Sequence, residues 1–422
     1  MPGTLSTERL KQALLFAGLC LVAFGVLWFR RPDAFLYPQF YAEDGRDFFA
    51  QAYADGWHSL FYETMGYCVV YARLADIIGL AVGVPLVYMP WAHTLACLAI
   101  YVVVWAVVFW RFPAALIGRA IAVLATVLMP IGNEIWMSTT AVQWPMTLLL
   151  LMLCTGQLPQ CWISRISAAV LLLLASFTGP SVLLIFPVLV LYHWFCGVRS
   201  LRAVPWTLWL VAFGAACNAL LLLDHGSVER ISLMPDTAGP AFVHLPFAQL
   251  WFPILGRQVE VIRTLHAILL TALGIAGWWY LVSRTQGIRR PFILACGAGV
   301  VVLTAATFIT HNGTPIGLSP FTAGTRYFYL PAVLIAWSFI AMVHRFDAIR
   351  LTVAAAVLCW WGWLTYSAVG QLVFPDMAWP AYARVLEEQR QPMIIPITPP
   401  GWIMYVSEED ATGWPVPWRP EP

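Results

Sequence analysis

The sequence predicts an all-α integral membrane protein, one bundle of about eleven transmembrane helices with a layer of helices on its extracytoplasmic surface. Three observations carry this. Hydrophobic residues make up 61 % of the 422-residue chain and charged residues only 10 %, with a mean hydropathy of +0.76. A soluble chain would carry roughly 25 % charge. Apolar runs near the length of about 20 residues that a span needs recur along the sequence. Short arginine-bearing loops alternate with them in the sense of the positive-inside rule. The 22 Trp and 15 Tyr fit two interfacial aromatic belts.

The spans are expected at 10–29, 88–110, 114–130, 142–158, 205–223, 264–282, 291–310, 327–343 and 351–370. Two shorter runs, 166–178 and 181–196, meet at Thr178-Gly179-Pro180. They are expected to pair around a turn within the bilayer thickness that is buried in protein or lines a wet cavity, since open backbone is not tolerated against lipid. Arg9 and Lys11 before an apolar run look like the start of a signal peptide. Arg30 and Arg31 follow instead of a small-x-small site, so an uncleaved first span is expected.

Residues 67–84 are apolar but hold Arg73 and Asp76. Keeping this stretch outside leaves the inner loops with Arg111 and Arg119, Arg165, Arg199 and Arg202, Arg284, Arg289 and Arg290, and Arg345 and Arg350. Making it a span would put those arginines outside, against the rule. Residues 46–84 are therefore expected to lie along the outer face, with the N-terminus inside. Of the 21 acids only Glu8 and Asp347 then fall inside, so the groups for acid–base chemistry sit outside.

Two regions follow: residues 1–370 as the membrane bundle, with 30–87 as its first outer loop, and 371–422 as an outer tail rich in Pro and Trp. Ten Pro in the tail argue against long helix, and Trp379, Trp402, Trp414 and Trp418 argue against disorder. A further outer segment, 224–263, holds acids, arginines and His225 and His244. The nine Cys are scattered, and their expected role is as small buried hydrophobes, Cys97, Cys217 and Cys359 among them. A net charge of +2 says nothing useful about nucleic acid, and no such partner is expected. There is no HExxH, no Gly-rich phosphate loop and no DxD pair.

Glu43 and Asp44, in YAEDGRDFF, stand just after the first span. Acids near lipid are costly and read as part of a site. Asp44 alone is also a fair N-cap for a following surface helix, with apolar Phe48, Phe49, Ala52 and Tyr53. Capping leaves Glu43 unexplained. Two adjacent acids repel, which raises one of them and suits it to act as a general base. Asp44 is favoured for that role because Gly45 would let backbone approach a substrate, with Glu43 the alternative. Arg326, at the outer start of a span, is either an interfacial anchor or a forked phosphate ligand. Arg73 has the same two readings, with Asp76 as an ion-pair partner. Asn133, Glu134, Gln143 and Trp144 lie between two spans and form either a polar turn or the lining of a sugar cavity. His311, before Asn312-Gly313, reads first as an interfacial His and second as a ligand.

An acidic motif in the first outer loop of a many-span protein resembles the GT-C glycosyltransferases. The residues are YAEDG at 41–45, the surface stretch 46–57 and GYCVVYARLADIIG at 66–79. The chain also resembles bacterial membrane proteins with AEDG in this loop, a following GYxxxxxR and a late RY pair, here Gly66-Tyr67 with Arg73, and Arg326-Tyr327. Most GT-C motifs are written DE, DxD or ExD, so the order of the two acids departs from the pattern. The resemblance implies a GT-C-like bundle in the bacterial cytoplasmic membrane with an outward-facing site. It implies transfer of a sugar from a polyprenyl-phosphate donor to a glycan, lipid or protein acceptor. Glu43 or Asp44 would be the base, and Arg326, Tyr327, Arg73 and Tyr67 would contact substrate. The need for a divalent metal is left open. The alternative is a transporter or flippase for a lipid-linked sugar, which commonly shows repeated halves and mid-membrane charges.

Overall fold

The computed structural model describes residues 7–156, 161–224, 264–310, 326–389 and 393–406, with 247, 251, 253–255 and 262 between them. The apolar runs form helices α1 (Thr7–Arg30), α3 (Met89–Arg111), α4 (Leu116–Leu128), α5 (Gln143–Thr155), α6 (Trp162–Ser176), α7 (Ser181–Phe195), α8 (Trp206–Asp224), α9 (Thr264–Arg284), α10 (Arg289–Thr310), α11 (Arg326–Met342) and α12 (Ala348–Leu364), while α2 (Val70–Ala81) lies before them in the first loop. Among the described residues, six helices are long and apolar enough to cross a membrane: Thr7–Arg30, Leu86–Arg111, Trp206–Asp224, Leu265–Arg284, Arg289–Thr307 and Ala348–Val369. The other five apolar helices are shorter. Several long apolar helices make this a multi-pass membrane protein.

Local chemistry sets the helix ends. Pro90 occupies the first turn of α3 and Arg111 its last, each where the helix dipole and missing donors favour it. Asp347 caps α12 by accepting the Arg350 N–H at 2.9 Å. Helix α5 is buried on every side from Pro145 to Thr155, which marks it as the centre of the bundle. Helices α9 and α12 instead leave Leu273, Trp279, Ile349 and Trp363 exposed, the sort of face that lipid covers.

The helix ends sort onto two sides. At one side the buried Arg30, ending α1, donates to the carbonyls of Met129 (2.5 Å) and Ile131 (2.8 Å) after α4, and to Thr365 Oγ1 after α12 (2.9 Å). Asn133 adds a bond to the Gly370 carbonyl at 2.7 Å. Arg31 pairs with Asp33 at 2.9 Å and donates to the Trp136 carbonyl at 2.7 Å. At the opposite side Phe112 meets Phe292 and Trp337, and Arg289 reaches the Val343 carbonyl. The arginines at 30 and 31 thus satisfy carbonyls after α4 and after the turn Asn133–Ile135, and a hydroxyl at the end of α12, a task the sequence does not advertise.

Residues 33–88 form a layer over the Arg30 side. The expected surface helix at 46–57 is present as one helical stretch, π-helical over Asp44–Phe49 and α-helical over Ala50–Asp55, which Gly56 at φ +53° ends before a 3₁₀ turn Gly56–Phe61. Its apolar side chains Phe48, Phe49 and Ala52 are buried in protein. The stretch is therefore a packed layer of the protein and not an amphipathic helix resting on lipid. A short hairpin follows, β1 (Glu63–Thr64) with β2 (Tyr67–Cys68), and then α2. At 12 residues α2 rises only about 18 Å, too little to cross. The expectation that 67–84 is not a span agrees with this.

The turn between α6 and α7 is buried under the same layer. Thr178 forms an antiparallel bridge with Val69. The Val70 N–H donates to the Phe177 carbonyl at 2.9 Å, and the Gly179 N–H to the Cys68 carbonyl at 2.8 Å. Protein thus satisfies the open backbone, as required near lipid. Gly179 has φ +103°, and a Cβ there would come within 2.8 Å of Gln143 Cβ. Gly179→Ala is expected to cost about 2–4 kcal/mol through strain and overlap. Gly197→Ala, at φ +89° in open space, should cost less. Unfolding of the two variants in detergent, monitored by tryptophan fluorescence, checks the difference.

The tail is part of the same layer. It holds helix α13 (Trp379–Gln389) and the hairpin β3 (Met393–Ile397) with β4 (Trp402–Val406). The proline content did not prevent this helix, because Pro380 falls in its first turn where no N–H is needed. Trp379, Leu386, Ile395, Ile397 and Met404 share one apolar cluster with Phe40, Phe49, Leu86 and Met89. The tail segment therefore shares a core with the first loop. Trp414 and Trp418, most of 224–263, and His311 lie outside the described residues. Of the cysteines expected to be buried, Cys97 is, Cys217 is partly so and Cys359 is exposed.

Candidate active site

The acid loop is held from both sides. On the tail side, the Thr398 N–H and hydroxyl donate to the Phe40 carbonyl at 3.1 and 2.8 Å, and the Ala42 N–H donates to the Thr398 carbonyl at 2.5 Å. Gly45 sits where a Cβ would come within 2.6 Å of Phe40 and 3.2 Å of Ile397. Its lack of a side chain serves this packing, not the approach of a substrate. Arg46 pairs with Asp47 at 2.8 Å and lies over the Trp402 ring.

Asp44 is consumed by the other side. Its carboxylate is 2 % exposed and accepts the Thr139 N–H at 2.9 Å, the Thr140 N–H at 2.8 Å and the Thr140 hydroxyl at 2.6 Å. It does not cap the helical turn that it begins; the flanking position there is Glu43, which makes no side-chain cap either. Asp44 caps the start of the helical segment leading into α5, where free N–H groups and the dipole favour an anion. Both Asp44 oxygens are thus engaged by the start of the segment leading into α5, a structural tie that the sequence reading of Asp44 as the base did not foresee.

Glu43 has the opposite environment. It is half-buried, and burial pushes its carboxyl above the usual range, with Asp44 and Asp47 adding to the shift and its own backbone and Arg46 opposing it. Glu134, half-buried in the turn Asn133–Ile135, is also raised by burial, while Arg326 and Arg31 oppose the rise. Tyr67 is raised chiefly by burial, then by the charge of Glu43, with Arg326 opposing. Tyr41 is raised in the same way and senses Glu134, Arg31, Arg326 and Glu43. Arg326 is therefore within electrostatic reach of Glu43, Glu134, Tyr41 and Tyr67, and Glu43 of both tyrosines. Arg326 is exposed at the first turn of α11 and lies over the ring of Tyr327. Tyr327 in turn meets Trp144 edge-on at 5.7 Å. Acids, a guanidinium and aromatic faces share one rim at the layer side of the bundle.

Three other expected site residues serve the scaffold. Arg73 is fully buried, bonded to Gln51 and, at 3.1 Å, to Thr64 Oγ1, with the Phe48 ring beside it. Asp76 does not pair with Arg73; its Oδ1 lies 2.5 Å from His93 Nε2. Asn133 bridges Arg30 and Gly370. Gln143 donates to the Thr140 carbonyl at 3.2 Å and packs on Gly179. Sequence reasoning missed His93. The signal was present, because Asp76 in an apolar helix needs a partner and His93 is the one histidine in the uncharged run 88–110. Among the described residues no three His, Cys, Asp or Glu side chains group closely enough to hold a metal ion.

Neither a family model, nor a curated protein, nor a solved structure matches this chain.

Proposed function

We propose that the protein is a membrane glycosyltransferase of GT-C type, with eleven spans and its site on the extracytoplasmic face of the bacterial cytoplasmic membrane. One observation carries this reading: a half-buried glutamate raised above the usual carboxylate range stands within electrostatic reach of an exposed arginine. That is a base beside a phosphate ligand. The bundle supports the orientation. Arg111, Arg119, Arg165, Arg199, Arg202, Arg284, Arg289, Arg290, Arg345 and Arg350 belong to the loops at the end away from the acid layer, as the positive-inside rule asks of a cytoplasmic face.

In the proposed reaction Glu43 removes the proton from the acceptor hydroxyl as that oxygen attacks the anomeric carbon of a polyprenyl-phosphate sugar. The bond from the sugar to the phosphate oxygen breaks, and Arg326 stabilises the departing lipid phosphate. Tyr41, Tyr67 and the Trp144–Tyr327 pair offer hydroxyls and flat faces to the sugar. Arg326→Lys is expected to raise the KM for the donor about tenfold with a smaller effect on kcat, because lysine keeps the charge but loses the two-pronged contact. Initial rates with a radiolabelled polyprenyl-phosphate hexose test this. Unaltered donor kinetics would remove Arg326 from the site. Movement of an intact lipid-linked sugar between leaflets, with no bond broken, would favour a transporter.

A further inference from the structure

Below the acid loop lies a buried cluster that the proposed reaction does not use. His93, on the first turn of α3, is 4 % exposed, and Asp76, on α2, is fully buried. The His93 Nε2 lies 2.5 Å from Asp76 Oδ1, its Nδ1 lies 2.9 Å from Thr139 Oγ1, and the same Nδ1 is 4.0 Å from Asp44 Oδ2. The ring edge of Phe40 closes the fourth side at 5.2 Å. One imidazole thus stands between two buried carboxylates, one on the surface layer and one in the acid loop. Asp76 Oδ2 has no hydrogen-bond partner, so the imidazole is the main group that can compensate its burial.

We infer that His93 is a positioning residue, held as an imidazolium between Asp76 and Asp44, that keeps Asp44 ionised and fixed so that the neighbouring Glu43 carries the exchangeable proton. The argument is one of charge and donors. Two carboxylates buried this close need a compensating cation. The other charged groups around the cluster do not supply it to Asp44. Arg73 acts on Asp76 from within α2 but is bonded to Gln51 and Thr64. Arg31 is already paired with Asp33. Cys97, one turn further along α3, is buried and faces the same carboxylate. An imidazolium donates from both ring nitrogens, and Asp76 and Thr139 are placed to receive both. Thr139 then ties the ring to the same peptide whose N–H binds Asp44. An ionised Asp44 raises its neighbour Glu43, and this is the environment a base needs. The role of His93 in catalysis rests on the glycosyltransferase reading; its charge does not.

Two measurements on the purified full-length protein test the inference without any transfer assay. In ring-15N-histidine spectra of the wild type, one of the eight histidines should stay doubly protonated at neutral pH, protected from solvent exchange. Protected rings that are all neutral at that pH would overturn the inference, and no substitution is needed to learn this. In infrared titration of carboxyl bands, His93→Gln, which can keep the bond to Asp76 but not the charge, should move the titration of one carboxyl to higher pH. That band should be missing from the double variant His93→Gln, Asp44→Asn. A His93→Gln titration that superimposes on the wild type would refute the charge role and leave only a structural one. A wild type that shows the imidazolium but transfers no sugar would refute the proposed function and leave this inference standing.

Discussion

Glu43→Gln is expected to fold like the wild type and to lose sugar transfer by about 10²–10⁴-fold. The side chain is half-buried and makes no cap bond, so an amide of the same size disturbs little. It cannot take a proton. The pH dependence follows from the direction of the shift. Burial raises Glu43 above the ordinary carboxylate range, so its proton is held to higher pH than that of a free glutamate. The acid limb of the rate profile should therefore fall above the ordinary value of about 4.3, and activity should rise as pH increases through it. Stability runs the other way. A carboxyl raised in the folded state favours folding while protonated, and that contribution is lost as pH rises through its folded value. Rate profiles and unfolding midpoints measured across the same pH range check both signs.

Asp44→Asn is expected to do the reverse, losing about 2–4 kcal/mol of stability. An asparagine often caps a helix as well as an aspartate does, but this cap is different. Asp44 accepts two backbone N–H groups and a hydroxyl through both of its oxygens. An amide supplies one oxygen and turns an NH₂ toward a buried donor. The negative charge beside His93 goes as well. Thermal unfolding in detergent should place Asp44→Asn well below Glu43→Gln. Equal stability of the two variants would mean that the bonds to Thr139 and Thr140 contribute little.

Much of the architecture was legible from hydropathy, because span length and arginine placement are physical requirements of the bilayer. Eleven apolar runs became eleven apolar helices, and the ambiguous stretch 67–84 stayed short of a span. The surface layer was read less well. Phe48, Phe49 and Ala52 look like the apolar face of a helix on lipid, yet all three are buried in protein, Phe49 against the tail and Phe48 against Val69 and Ala72. Such packing depends on partners some 350 residues away, such as Ile397 and Met404, and no local pattern encodes it. The same limit applies to the site. The acid pair was visible as a pair of costly charges, but which acid is tied down depends on Thr139 and Thr140, which stand beyond α2, α3 and α4. Arg30 and Arg31 looked only like a stop after the first span. Their bonds to Met129, Ile131 and Trp136 show buried charge placed to satisfy helix ends. Likewise Arg73 and Asp76, three residues apart, suggested a pair with each other, whereas helix geometry and neighbours gave them separate partners.

The most direct test of the account is a single-turnover reaction of the purified protein, reconstituted in lipid vesicles, with a radiolabelled polyprenyl-phosphate sugar and a mixture of envelope glycans. Chromatography of the lipid phase would follow cleavage of the sugar–phosphate bond. The account predicts that wild-type protein releases polyprenyl phosphate and moves the label to a water-soluble or lipid acceptor, and that Glu43→Gln binds the donor without releasing it. Release by Glu43→Gln at the wild-type rate would contradict the assignment of Glu43 as the base.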